Sequence, residues 1–140
     1  MRWGPTAWKL LHGIGYKTGK GQEKLRKDEV REVYWLLTHL EYIIPCEVCR
    51  KHIVEYRKGG IPTDVDQIGA WIWTFHEAVN ERLGKSEGPP FTKELGKDIN
   101  LKETWKEYSE LVKKDMLLGM LNRELFTQWS RHFHLWLSFV

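Results

Sequence analysis

Cys46 and Cys49, separated by Glu47 and Val48, are the two cysteines of the chain and the residues best suited to chemistry. At a helix start, two intervening residues let the sulfurs close a small disulfide ring or reopen to a dithiol, and the positive end of the helix favours a thiolate. The same spacing is also half of a zinc site, with His52 completing a Cys-x-x-Cys-x-x-His run. A structural zinc site wants four ligands, however, and there is no second cysteine pair to supply them. A thioredoxin-like, cofactor-free exchanger would place its cysteine pair beside the strands of a βαβ unit, which this helical sequence does not offer. A redox pair in a helical setting needs an electron acceptor from elsewhere. Eight Trp, five Tyr and five Phe in 140 residues give more flat apolar surface than a core of this size needs, which brings in a planar ligand. Trp73, His76, Asn80 and Leu83 recur at helical spacing and would set polar groups beside such a ring. Taken singly, each is explained as well by packing.

The elements that must position these residues are helical. Pro5 and Thr6 open a helix with Trp8, Leu11, His12 and Gly15 on one face, ended by the turn residues of 18–21. Over residues 22–44 apolar side chains recur every three or four positions, which predicts one long amphipathic helix. Pro45 interrupts it, so the cysteine pair begins a third helix over 46–58, ended by Gly59 and Gly60. Thr63 or Asp64 caps a fourth, whose buried stripe is Val65, Ile68, Ile72, Phe75, Val79 and Leu83. Residues 86–100 read as a loop, 101–122 as helical again, and 123–140 as a last helix with Leu125, Trp129, Phe133, Trp136 and Val140 on one face. The fold class is all-α: a four-helix bundle with additional C-terminal helices.

A net charge of +3 makes no case for nucleic acid. No apolar run reaches the roughly 18 to 20 residues that span a bilayer, and the opening Met1-Arg2-Trp3-Gly4-Pro5 lacks the apolar stretch of a signal peptide. The expectation is a protein without an integral membrane segment, resident in the cytoplasm.

Three motifs in order, Trp3-Gly4-Pro5-x-x-Trp8-x-x-Leu11-His12, Pro45-Cys46-x-x-Cys49-x-x-His52 and Trp71-x-x-x-x-His76-x-x-Val79-Asn80-x-x-Leu83-Gly84-Lys85, resemble the Erv/ALR family of flavin-linked sulfhydryl oxidases. The likeness covers residues 1–91 and is nearest in size to the compact virus-encoded members, which adds host cytoplasm or virion as places of residence. It implies a bundle that holds FAD noncovalently beside the cysteine pair, with Cys49 facing the flavin and Cys46 exchanging with substrate. The implied cofactor contacts are Gly4, Pro5, Trp8 and His12 on the first helix, His52 after the cysteines, and Trp73, His76, Val79, Asn80, Leu83 and Lys85 on and after the fourth. The implied reaction takes electrons from a dithiol protein or a thioredoxin-like carrier through the pair to FAD and then to molecular oxygen, giving hydrogen peroxide, in a homodimer. Two departures stand out: Glu77 occupies a position where the family usually has Asn, and there is no further cysteine pair to shuttle electrons. The division implied is an FAD-binding core over 1–91 and a helical extension over 92–140, packed on the same domain and dispensable for the redox chemistry. The rival from another class is a zinc-stabilised interaction module built on Cys46, Cys49 and His52.

Overall fold

Gly15, near the end of the first helix, lies so close to Gly69, near the start of the fourth, that a β-carbon on Gly15 would sit 2.9 Å from the Gly69 Cα. This contact belongs to a computed structural model that describes residues 2–140. Its helices are α1 (Gly4–Lys17), α2 (Arg26–Thr38), α3 (Glu47–Arg57), α4 (Ile68–Arg82), α5 (Leu101–Leu111), α6 (Lys113–Leu117) and α7 (Arg123–Leu137), with short 3₁₀ turns at Glu23–Leu25, Leu40–Ile43 and Val65–Gln67. No strand occurs among the described residues, so the fold is all-α. α1 and α4 run antiparallel: backbone meets backbone at the two glycines, His12 meets His76 nearer the start of α1 and the end of α4, and Trp8 stacks on His76 beyond that.

The 22–44 stretch is not one helix. His39 leaves helical geometry at φ −124°, where the Thr38 hydroxyl donates to the Tyr34 carbonyl at 2.8 Å and His39 Nδ1 donates to the Trp35 carbonyl at 2.8 Å. Such local side-chain bonds compete with the helix ladder, and the chain turns through Leu40–Ile43 toward the cysteines. The 101–122 stretch is broken too, at Val112 (ψ 0°), and α6 ends in a turn with Gly119 at φ +74°.

The C-terminal helices are core elements. α5 lies along α1, with Leu101 against Gly13, and sends the buried Tyr108 hydroxyl to the Ile43 carbonyl, just ahead of the cysteine pair. α7 packs on α2, with Trp129 Nε1 donating to the Leu36 carbonyl at 3.0 Å, and buries Phe126, Trp129, Phe133 and Trp136, the first three against Trp105 of α5. Phe126 replaces Leu125 in the stripe the periodicity predicts, and both Leu125 and Val140 are only partly buried. Residues 86–100 are irregular but pinned: Trp73 Nε1 donates to the Pro89 carbonyl at 3.0 Å and Glu77 accepts from the Gly88 amide at 3.0 Å. Gly96, at φ +89°, crosses directly over the His12 carbonyl, where any side chain would collide. No described helix is long and apolar enough to cross a membrane.

Candidate active site

Cys46 is the N-cap of α3. Its Sγ accepts the Cys49 backbone N–H at 3.2 Å, the two sulfurs form a disulfide with a Cα–Cα distance of 5.2 Å, and both residues are partly exposed. Pro45, with no N–H to satisfy, is buried just before the cap and fixes the approach of the chain. When the pair is reduced, the helix N-terminus stabilises negative charge on sulfur at the cap. With the sulfurs bonded to each other they are not ligands, and no group of three or more His, Cys, Asp or Glu able to hold a metal ion is assembled among the described residues. The zinc module is therefore not favoured.

On one side of the disulfide the first half of α1 and the last two turns of α4 enclose a cleft of about 550 Å³. Cys49 lines it and Cys46 does not. The cleft brings together Gly4, Pro5, Trp8 and His12 from α1, His52 from α3, and His76, Val79, Asn80, Leu83 and Lys85 from α4 and the residues after it. Val79 and Leu83 continue the core stripe of Ile68, Ile72 and Phe75, yet Leu83 is 42% exposed. The stripe runs from the protein's own core into the cleft, where it leaves apolar surface open among the described residues.

The polar groups are just as specific. His12 Nε2 and His76 Nδ1 are 3.0 Å apart, and the Trp8 ring lies parallel to the His76 ring at 3.9 Å. Burial, and then the neighbouring His76, push the His12 pKa down to about 4. Burial likewise lowers His76, with Glu77 opposing the shift and Lys85 adding to it, and lowers His52, where the Arg82 charge adds to burial. All three are neutral at pH 7. In a neutral pair only one of the two facing nitrogens carries a proton, so the outer nitrogens of His12 and His76 present one acceptor and one donor in linked tautomers. His12 Nδ1 and His52 Nδ1 are buried without a partner in the protein. Buried polar atoms are normally satisfied, so both are set for hydrogen bonds from a ligand.

Trp73 is the predicted residue that the structure does not bring to the cleft. It lies on the flank of α4 that faces the 86–91 segment, bonded to Pro89 and packed edge-on to Phe91. Glu77, on the same flank, accepts from Gly88 and from Asn80 Nδ2 at 3.3 Å. The carboxylate in place of an amide thus ties down a loop and orients a cleft residue. The sequence reading missed Lys9 and Arg82, which with Lys85 give the cleft three cations, and the apolar lining of Trp3, Leu40, Ile44, Ile53 and Phe75. Lys9 follows Trp8 and Arg82 precedes Leu83, so adjacency to motif residues was the available signal for the cations.

The cleft suits a flat, partly apolar, anionic ligand laid against a disulfide. The sequence relatives match that chemistry. FAD-linked sulfhydryl oxidases of African swine fever virus are 30% identical to the chain: over 89 residues for isolate Tick/Malawi/Lil 20-1/1983, over 87 for Pig/Kenya/KEN-50/1950 and over 89 for Warthog/Namibia/Wart80/1980. In each case 61% of this chain and 71% of the relative are covered. No solved structure matches the chain. The family-level match extends from residue 5 to residue 106, across nearly all of α1, α2 to α4, every cleft residue but Trp3 and Gly4, and the first half of α5, and the chain belongs to the Erv1/Alr family.

Proposed function

We propose that the protein is an FAD-linked sulfhydryl oxidase that forms disulfides in thiol-bearing partners through Cys46 and Cys49. The observation that carries this reading is the placement of one end of a disulfide, Cys49, in the wall of a cleft built of aromatic, apolar and cationic groups. The residues present fit FAD. Trp8, Val79 and Leu83 give flat apolar surface, Lys9, Arg82 and Lys85 match a pyrophosphate, and the unpartnered nitrogens of His12 and His52 await polar atoms of a ligand. A volume of about 550 Å³ lies within the usual range of roughly 300–1,000 Å³ for ligand sites. FAD held there would supply the two-electron acceptor for the pair, with molecular oxygen as final acceptor and hydrogen peroxide as product.

The chain's own part begins at the exposed side. A substrate thiolate attacks Cys46 Sγ, the bond to Cys49 breaks, and Cys49 leaves as a thiolate facing the cleft. A second substrate thiolate then attacks the substrate sulfur of the mixed disulfide and expels Cys46. That sulfur departs easily, because at the N-cap its charge meets the Cys49 amide and the helix dipole. The neutral histidines keep extra positive charge out of the cleft while still offering hydrogen bonds. The absence of a second cysteine pair supports direct exchange with a partner dithiol or a thioredoxin-like carrier. The homodimer and residence in host cytoplasm or virion rest on the family resemblance, and sedimentation and localisation of the tagged protein test them.

An absorption spectrum of the purified protein and an oxygen electrode with dithiothreitol test the reading together. A yellow protein that consumes oxygen is expected. A folded, colourless protein that neither takes up added FAD nor consumes oxygen refutes it.

A further inference from the structure

The residues around the outward-facing cysteine are not ordinary surface. Leu117, Leu118 and Met120 are 72%, 67% and 50% exposed, and Val48, between the two cysteines, is 63% exposed. Leu117 ends α6, and Leu118 and Met120 sit on the turn that follows it, all beyond the stretch shared with the family. This turn is held in place: Leu118, Gly119 and Met120 amides donate to the Lys114, Met116 and Asp115 carbonyls at 3.0, 3.1 and 2.9 Å, and Leu121 anchors it in the core. Arg50 then fastens it beside the disulfide, since one guanidinium nitrogen donates both to the Met120 carbonyl at 3.2 Å and to the Ile44 carbonyl, two residues before Cys46, at 2.6 Å. An ordered turn that spends three large apolar side chains on solvent calls for a partner.

We propose that the 117–120 turn, with Val48, is the docking surface for the substrate: a polypeptide whose reactive cysteine is flanked by apolar residues. The proposal rests on the exchange role of Cys46 given above. The occupant follows from the geometry of that exchange. A mixed disulfide holds the partner's Cα about 4.4–6.8 Å from that of Cys46, and an extended segment advances about 3.3 Å per residue. The two or three residues beside the partner's cysteine therefore cross the surface bounded by Val48 and the Arg50-tethered turn. Apolar side chains there gain from burial, and a small thiol, which reaches the sulfur alone, gains nothing. The exchange balances within the complex: two substrate thiols lose two protons and two electrons, one S–S bond forms in the substrate, and the Cys46–Cys49 bond is reduced to two thiols.

The test compares the full chain with Leu117→Ser, Leu118→Ser and Met120→Ser combined, and with Leu118→Lys alone in case the combined variant misfolds. Reductants are dithiothreitol, a synthetic dithiol peptide with leucines beside its cysteines, and the same peptide with serines there. The readout is the anaerobic rate of opening of the Cys46–Cys49 disulfide, followed by alkylation and mass, which needs neither FAD nor oxygen. Expected is a loss of about tenfold, about 1.4 kcal/mol, confined to the leucine-flanked peptide, with the same order of effects in the single variant. An unchanged rate with that peptide, an equal loss with all three reductants, or a fall from dimer to monomer without selective loss overturns the proposal, the last by making the turn a self-association surface. Normal selective exchange in a protein that never consumes oxygen would overturn the oxidase reading and leave the docking surface standing.

Discussion

His12 and His76 tie the chemistry of the cleft to pH. Above pH 6.5 both are neutral, folded or unfolded. Between about 4 and 6.5 an unfolded His12 takes a proton that the folded one, at about 4, refuses, so stability falls as pH drops through that window and the loss is complete below it. Thermal melts of the cofactor-free protein from pH 7.5 to 4.5 should show this fall, and His12→Asn should flatten it; an identical slope in the variant would remove His12 as its source. At the disulfide, Cys49→Ser and Cys46→Ser should each abolish turnover with dithiothreitol while leaving flavin bound, because most of the remaining lining comes from α1, α4 and the residues just after α4. Oxidase activity in either variant counts against the exchange sequence. Helical spacing alone grouped His76, Asn80 and Leu83, while Trp8, His12, His52 and Lys85 came from the motifs shared with the family; the structure lines one cleft with all of them. Trp73 lies apart from this lining, on the flank facing Pro89 and Phe91, because spacing from His76 alone does not fix which flank of α4 a residue joins. The role of Glu77 was hidden because its partner, the Gly88 amide, lies in a segment with no periodicity.

Among the elements, the α1–α4 pair sets the shape of the site. The helices touch backbone to backbone at Gly15 and Gly69, and the cleft occupies their opposite ends. Gly15→Val should push α4 away, costing about 1–3 kcal/mol as overpacking does and lowering flavin content more than dithiothreitol access to the disulfide. Denaturant melts and flavin-to-protein ratios read the two effects, and wild-type values for both would show that the contact does not set the cleft. The helices themselves could be read from their apolar period and from Pro45 and the glycines. The breaks at His39 and Val112 could not, since each lies inside an unbroken apolar pattern. At the first, hydroxyl and imidazole bonds to nearby carbonyls decide the outcome; at the second, Val112 is itself a buried core residue, so hydrophobic pattern gives no sign of the change in direction.

For the molecule as a whole, α5 and α7 matter as much as the family core. α4 and α5 cover α1, and α7 covers α2, so any homodimer has to form on surfaces other than these apolar stripes. Removing residues 123–140 would strip Trp129, Phe133 and Trp136 from the core. Each large aromatic is worth about 3–5 kcal/mol against a total of about 5–15 kcal/mol for a domain. A chain ending at Asn122 should therefore fail to fold cooperatively, in place of the flavin-loaded fragment that the sequence motifs suggest. Circular dichroism melts decide this, and a soluble, cooperative, flavin-binding fragment would make α7 accessory. The pairing of α2 with α7 also bears on how the protein is made. Glu32 and His132, which bond across the two helices at 2.5 Å, lie 100 residues apart, an interval of roughly 5–20 s at translation rates of about 5–20 residues per second. Through that interval Val33, Leu36 and Leu37 have left the ribosome with nothing to cover them, and Cys46 and Cys49 emerge as thiols beside an unfinished scaffold. The apolar face of α2 is thus among the first parts of the core to be made and among the last to be covered.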